Sequence, residues 1–108
     1  MSVLVELTMF PMDKGVSVSP YVARIVKIIR DSGLSCKLGP MGSCIEGDWE
    51  DVMLVVGDCY RELEKDCDRI YMMMKADCRK NAQDRLNGKI KSVEEKLKLN
   101  KISDPKEA

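Results

Sequence analysis

A chain of 108 residues can bury one hydrophobic core but is too short for two domains of ordinary size. Its 18 basic and 18 acidic residues cancel, so no strong field attracts nucleic acid or an anionic membrane surface. No apolar run has the length that spans a bilayer, and the N-terminal residues lack the positive region of a signal peptide. We therefore expect a soluble, cytoplasmic protein with neither nucleic acid nor a membrane as a partner.

The cysteine pattern argues against metal binding and redox catalysis. Five cysteines lie eight or more residues apart, and the chain has no histidine and no C-x-x-C pair. We expect free thiols that act as small buried hydrophobes in a reducing compartment, although Cys36 and Cys44 flank a predicted hairpin and could approach each other. Without histidine or an activated thiol, we predict no catalytic residue, no metal and no cofactor.

The first two elements are a strand and a helix. Residues 3–10 alternate between two faces, and Pro11 closes this strand. Ser19 is the predicted N-cap of the following helix, with Pro20 at its first position and Ser32-Gly33 at its end. The apolar positions of this helix recur at helical spacing: Val22, Ile25, Val26 and Ile29.

A hairpin and a second helix follow. The segments 34–38 and 43–46 are predicted strands, and Gly39-Pro40-Met41-Gly42 between them is typical of a turn. Asp48 is the predicted N-cap of the second helix. Its core-facing stripe is Val52, Val55, Val56, Cys59 and Leu63.

Residues 70–77 complete a βαββαβ order, which is the ferredoxin-like arrangement. The expected fold is α+β, with a four-stranded antiparallel sheet, two helices on one face and an extra C-terminal helix. That third helix carries an apolar stripe of Leu86, Ile90, Val93 and Leu97. Residues 1–99 are predicted to form the domain, and residues 100–108 a flexible C-terminal tail.

The face without helices, called here the open face, has a mixed composition. Its predicted members are Leu4, Glu6, Thr8, Phe10, Ser35, Lys37, Cys44, Glu46, Tyr71, Met73, Lys75 and Asp77. This mixture suits a contact between two copies across a twofold axis. Alternatively, Glu46, Lys37 and Lys75 form ordinary cross-strand pairs worth roughly 0.2–1 kcal/mol each. A carboxylate on an otherwise apolar strand needs a partner, which can be a lysine, another subunit or a ligand.

Several runs of sequence resemble the small thiamine-binding protein family related to YkoF. They are Val18-Ser19-Pro20-Tyr21-Val22-Ala23, Ser32-Gly33-Leu34, Met41-Gly42-Ser43-Cys44-Ile45-Glu46-Gly47, Trp49-Glu50-Asp51-Val52-Met53, Arg69-Ile70-Tyr71, Lys75-Ala76-Asp77-Cys78-Arg79 and Lys91-Ser92-Val93-Glu94-Glu95-Lys96-Leu97. The resemblance covers about residues 3–98, and the family more often has threonine in place of Ser43. It implies a ferredoxin-like fold, homodimers formed sheet to sheet and often paired into tetramers, and binding of thiamine or its hydroxymethylpyrimidine part without catalysis.

The resemblance also implies a site. An aminopyrimidine needs a carboxylate, a hydroxyl and a flat apolar wall. The residues assigned to these roles are Glu46, Ser43, Met41, Ser17, Ser19 and Tyr21. A second set is assigned to an anion or a subunit contact, with a structural ion network as the alternative: Lys75, Asp77, Arg79 and Lys37. The predicted function is a small-molecule binding protein, and the alternative is an oligomeric assembly module without a dedicated ligand.

Overall fold

The computed structural model describes residues 2–81 and 84–103. Its elements are β1 (Ser2–Pro11), α1 (Ser19–Asp31), β2 (Ser35–Leu38), β3 (Ser43–Asp48), α2 (Trp49–Glu64), β4 (Ile70–Arg79) and α3 (Arg85–Ser103). The strands form one antiparallel sheet in the order β2-β3-β1-β4. This architecture confirms the predicted α+β, ferredoxin-like fold with an additional C-terminal helix.

The core lies between the sheet and the first two helices. On β1, Val3, Val5, Leu7 and Met9 are all buried, because β1 is central and its alternating side chains face α1 and α2. The predicted stripe of α2 is buried along its whole length. Within it, burial raises the pKa of the Cys59 thiol to about 12, so this cysteine behaves as a small apolar side chain.

The strand register confirms which residues share the predicted open face, but that face is not free of helices, because the first turn of α3 lies against it at Glu46. Glu46 lies between Leu4 of β1 and Ser35 of β2, and Leu4 in turn pairs with Asp77 of β4. Directly paired residues project from the same face of a sheet, so the predicted set shares one face. Cys36 pairs with Ile45 and Cys44 pairs with Lys37. The two thiols therefore project to opposite faces, and the expectation that they could approach each other is wrong.

The edge strand β4 is more exposed than its sequence suggests. Met72 and Met74 project toward the helix side of the sheet, yet they are 47% and 40% exposed. The reason is the strand order, which places β4 at the edge beside β1, beyond the area that the helices cover. Ten residues of β4 therefore present an uncovered edge.

Both predicted N-caps differ from the expectation in detail. Val18 is the N-cap residue of α1, and its carbonyl accepts bonds from the N–H groups of Tyr21 and Val22 at 3.0 and 3.1 Å. The helix therefore includes Ser19 rather than starting after it. Asp48 does stand at the N-cap of α2, but its carboxylate makes no capping hydrogen bond.

The C-terminal division stays a prediction. Helix α3 continues through Ser103, and residues 104–108 of the predicted tail lie outside the described residues. Across residues 2–81 and 84–103, no helix combines the length and the apolar character that crossing a membrane requires.

Candidate functional site

The structure separates the residues of the predicted ligand site. Met41 and Ser43 line a cavity at the hairpin end of the sheet, and Ser19 lines a groove outside it. Glu46 projects from the opposite face. Tyr21 packs against the core with its ring 5.5 Å from the guanidinium carbon of Arg24, and Ser17 is exposed in the loop before α1.

The cavity, called here the hairpin cavity, has a volume of about 270 Å³. It lies between the second half of β1, the first turns of α1 and the loop 39–42. Apolar side chains make most of its wall, namely Leu7, Val18, Val22, Ile25, Leu38 and Met41. A small, mostly apolar space with a few polar groups is typical of a site for a small organic ring.

Ser43 is the most informative polar residue of this cavity. The residue is 7% exposed, but its hydroxyl is not an enclosed, unpaired group: among residues 2–81 and 84–103, the buried side-chain polar atoms without a hydrogen-bond partner are Nε and Nη1 of Arg85. Thr8, the other hydroxyl on the wall, already donates from Oγ1 to the Met41 carbonyl at 2.8 Å. As a cavity-wall residue, Ser43 offers a hydroxyl that can donate or accept a hydrogen bond.

Close contact between the hairpin loop and β1 shapes the cavity. The Gly39 N–H donates to the Gly42 carbonyl at 2.8 Å, which closes the loop. A β-carbon at Gly42 would lie 2.8 Å from Thr8 Oγ1 and 3.0 Å from the Leu7 carbonyl oxygen. Only glycine lets the loop approach β1 this closely. The sequence predicted a turn here but not the contact with β1.

Glu46 has a partner that the sequence pattern does not predict. This carboxylate is 7% exposed and accepts hydrogen bonds from the backbone N–H groups of Arg85, at 2.7 Å, and Leu86, at 3.2 Å. It therefore caps the N-terminus of α3 from a neighbouring strand. The expected partners were a lysine, another subunit or a ligand. The observed partner in this structure is the chain's own third helix.

Arg85 completes a buried ion network around that contact. It is 6% exposed, and its Nη2 donates to the carbonyls of Ser2 and Asp77 at 2.9 and 2.6 Å. Its Nη1 lies 3.1 Å from Asp77 Oδ2, and its Nε lies 3.9 Å from Glu46 Oε2. Lys89 donates to Asp77 at 2.6 Å, and this bond is the main reason that the pKa of Asp77 lies below its ordinary value.

The second predicted set is therefore also divided. Asp77 belongs to the network of Arg85 and Lys89, which is the structural alternative. Lys75 is exposed and lies 3.9 Å from Glu6, a separation at which an exposed pair contributes little. Arg79 and Lys37 are exposed. Within the part of the chain that the structure describes, no group of acidic or cysteine side chains is arranged to hold a metal ion.

Comparison with known proteins shows a family to which this sequence is similar. The sequence profile described as "Thiamine-binding protein" matches residues 5–94. The UPF0045 protein of Synechocystis is 35% identical over 95 residues, which are 87% of this chain and 78% of that protein. The UPF0045 protein ECM15 of Eremothecium gossypii is 35% identical over 96 residues, 87% of this chain and 91% of that protein.

Solved structures agree with the observed fold. The hypothetical protein MJ1052 of Methanocaldococcus jannaschii is 28% identical, has a TM-score of 0.80, and the match covers 87% of this chain and 97% of that one. A Thermotoga maritima protein, which its name links to thiamine biosynthesis or salvage, is 20% identical with a TM-score of 0.71. That match covers 81% of this chain and 95% of the other, and at this identity it shows the fold alone.

Proposed function

The chain belongs to the thiamine-binding protein family, and from this premise we propose that it binds thiamine or its hydroxymethylpyrimidine part without catalysing a reaction. We place the pyrimidine ring in the hairpin cavity. The observation that supports this choice is the small, mostly apolar hairpin cavity itself, in whose wall Ser43 supplies a hydroxyl. A ligand could hydrogen-bond this hydroxyl while its ring contacts the apolar wall.

The chemistry of the cavity matches an aminopyrimidine. Apolar side chains such as Val22 and Met41 provide contact for the flat ring, and Ser43 can donate to a ring nitrogen. The exocyclic amine needs an acceptor, and we assign this role to the loop 39–42, whose residues lie on the same wall. Ser19, at the first turn of α1, lies where the remainder of the molecule would leave the cavity.

Glu46 offers a second position for the ligand. The resemblance assigns it a role in binding, but both of its oxygens accept hydrogen bonds from α3. A pyrimidine at Glu46 would have to displace the first turn of that helix. The hairpin cavity requires no such displacement, which is why we prefer it.

Calorimetric titration of thiamine and of hydroxymethylpyrimidine tests the proposal. We expect both to bind, and we expect Ser43→Ala to weaken the affinity about 5- to 10-fold, the value of one hydrogen bond. The same substitution should leave the free energy of unfolding unchanged or slightly higher, since the hydroxyl has no partner to lose among the described residues. Ser35→Ala, an exposed serine on β2, is the matched control.

Two results would contradict the proposed site. Unchanged affinity in Ser43→Ala, with intact binding by the parent protein, would place the ligand elsewhere. Absence of binding heat for both molecules at millimolar concentration would contradict the proposed binding function. The assembly role would then be the remaining candidate.

We also propose that the protein acts as a homodimer, paired further into a tetramer, in the cytoplasm. The uncovered β4 edge supports self-association, and so do three exposed apolar residues on one side of α3: Ile90, Val93 and Leu97. The free cysteines that the structure describes suit a reducing compartment. The β4 edge and the apolar side of α3 also favour the assembly role, which is the second candidate function.

Light scattering after gel filtration measures the assembly directly. We expect a dimer or tetramer, and we expect Val93→Asp to raise the dissociation constant at least about 10-fold, because the new carboxylate would be buried in the contact. Lys91→Asp adds the same side chain to α3 outside the apolar stripe and should have a much smaller effect. A monomeric parent protein, or equal effects of the two variants, would disprove the proposed interface.

A further inference from the structure

The hairpin cavity continues into a longer groove along α1. This groove has a volume of about 650 Å³ and shares four wall residues with the cavity: Val18, Val22, Leu38 and Pro40. From there its wall follows α1 through Val26 to Lys27 and Arg30. The cavity and the groove therefore adjoin at the start of α1, and the groove extends from there toward the far end of that helix.

The far end of the groove is basic. Lys27 and Arg30 lie on its wall with one acidic residue, Asp31. Lys27 donates to Asp31 at 2.9 Å, which neutralises that acid. Arg30 forms no ion pair with any residue in the ranges 2–81 and 84–103, and with Lys37 it lines a small crevice between α1 and β2. The groove thus runs from an apolar cavity to unneutralised positive charge.

We infer that the site is built for a phosphate ester of thiamine, with the ring in the hairpin cavity and the phosphate at Arg30. This inference rests on the proposed function. Arg30 lies eight residues after Val22 of the cavity wall, a distance of about 12 Å along the helix axis. That separation suits an extended molecule with an aromatic ring at one end and a diphosphate at the other. A guanidinium is the side chain best matched to phosphate oxygens, because it donates two parallel hydrogen bonds.

The same positive charge could instead attract a free anion, so the experiment must distinguish a phosphate ester of thiamine from inorganic pyrophosphate. Calorimetry compares thiamine, thiamine monophosphate, thiamine diphosphate and inorganic pyrophosphate on the same preparation. We expect thiamine diphosphate to bind at least about 10-fold more tightly than thiamine at low salt, and the difference to shrink as salt is added. Inorganic pyrophosphate should bind much more weakly than thiamine diphosphate, since it makes no use of the cavity.

Substitution of Arg30 localises the effect. Arg30→Ala should remove most of the advantage of the diphosphate and leave the affinity for thiamine unchanged, while Arg30→Lys should retain part of it. Arg61→Ala is the matched control, because Arg61 is an exposed arginine on α2 that pairs with Asp58. Neither arginine belongs to the core, so both variants should fold.

The outcomes distinguish this inference from the function on which it rests. Thiamine binding without any gain from phosphate, or equal losses for both ligands in Arg30→Ala, would overturn the inference and leave the proposed function standing. Pyrophosphate binding as tight as that of the diphosphate ester would show a free-anion site and overturn it too. Failure of every thiamine compound to bind would overturn both proposals.

Discussion

Replacement of Glu46 by alanine is expected to lower the free energy of unfolding by about 3 kcal/mol, measured by urea denaturation. The substitution removes the acceptor of two backbone N–H groups at the start of α3. It also leaves the Arg85 guanidinium buried with one carboxylate fewer beside it. Glu46→Gln should lower the free energy of unfolding by less, because the amide oxygen can still accept one of the two N–H bonds. The other bond is lost, since the NH₂ group cannot accept it.

Glu6→Ala is the matched control for this prediction. Glu6 projects from the same sheet face, but it is exposed and its nearest cationic group, on Lys75, is 3.9 Å away. Its loss should change stability by less than about 0.5 kcal/mol. Hydrogen exchange of the Arg85 and Leu86 amides should speed up in Glu46→Ala and not in Glu6→Ala. Equal stability of the two variants would mean that Glu46 does not hold α3 to the sheet.

Replacement of Gly42 by alanine is expected to destabilise the protein by about 1–3 kcal/mol and to abolish measurable thiamine binding in the hairpin cavity. The new β-carbon would lie 3.0 Å from the Leu7 carbonyl, which belongs to the central strand and cannot move freely. The hairpin loop would have to shift, and the bond from Thr8 to the Met41 carbonyl would break with it. Chemical denaturation and calorimetry measure the two effects.

The same substitution at Gly88 should act in the opposite direction. Gly88 lies on α3, and a β-carbon there has no other atom within 4 Å. Alanine is the better helix former by about 1 kcal/mol, so Gly88→Ala should leave stability unchanged or raise it. A loss of stability at Gly88 as large as that at Gly42 would contradict the packing described for the hairpin loop.

The fold was predictable because its central elements carry strong local patterns. Alternation along β1 identifies the core face correctly, since that strand is flanked on both sides and covered by helices. The same alternation on β4 assigns the faces correctly but does not predict exposure. Exposure depends on strand order, which is a property of the whole sheet. Likewise Leu86 is buried while Val93, on the same predicted stripe of α3, is 57% exposed.

The site was less predictable because it depends on contacts between distant residues. The partner of Glu46 lies 39 residues along the chain, so no local spacing could reveal it. The turn at residues 39–42 could be recognised from its glycines and proline. The cavity above it forms only when Val18 and Val22 of α1 approach that turn in the folded protein.

The most direct test of the central claim is an amide chemical-shift titration of the protein with thiamine. If the ring enters the hairpin cavity, the largest changes should occur at the amides of Gly39 and residues 41–43, and at Val18 and Val22 on the facing helix. The amides of Arg85 and Leu86, which bond to Glu46, should shift little. Largest changes at Arg85 and Leu86 would place the ligand at Glu46 on the other face of the sheet and contradict the proposed site.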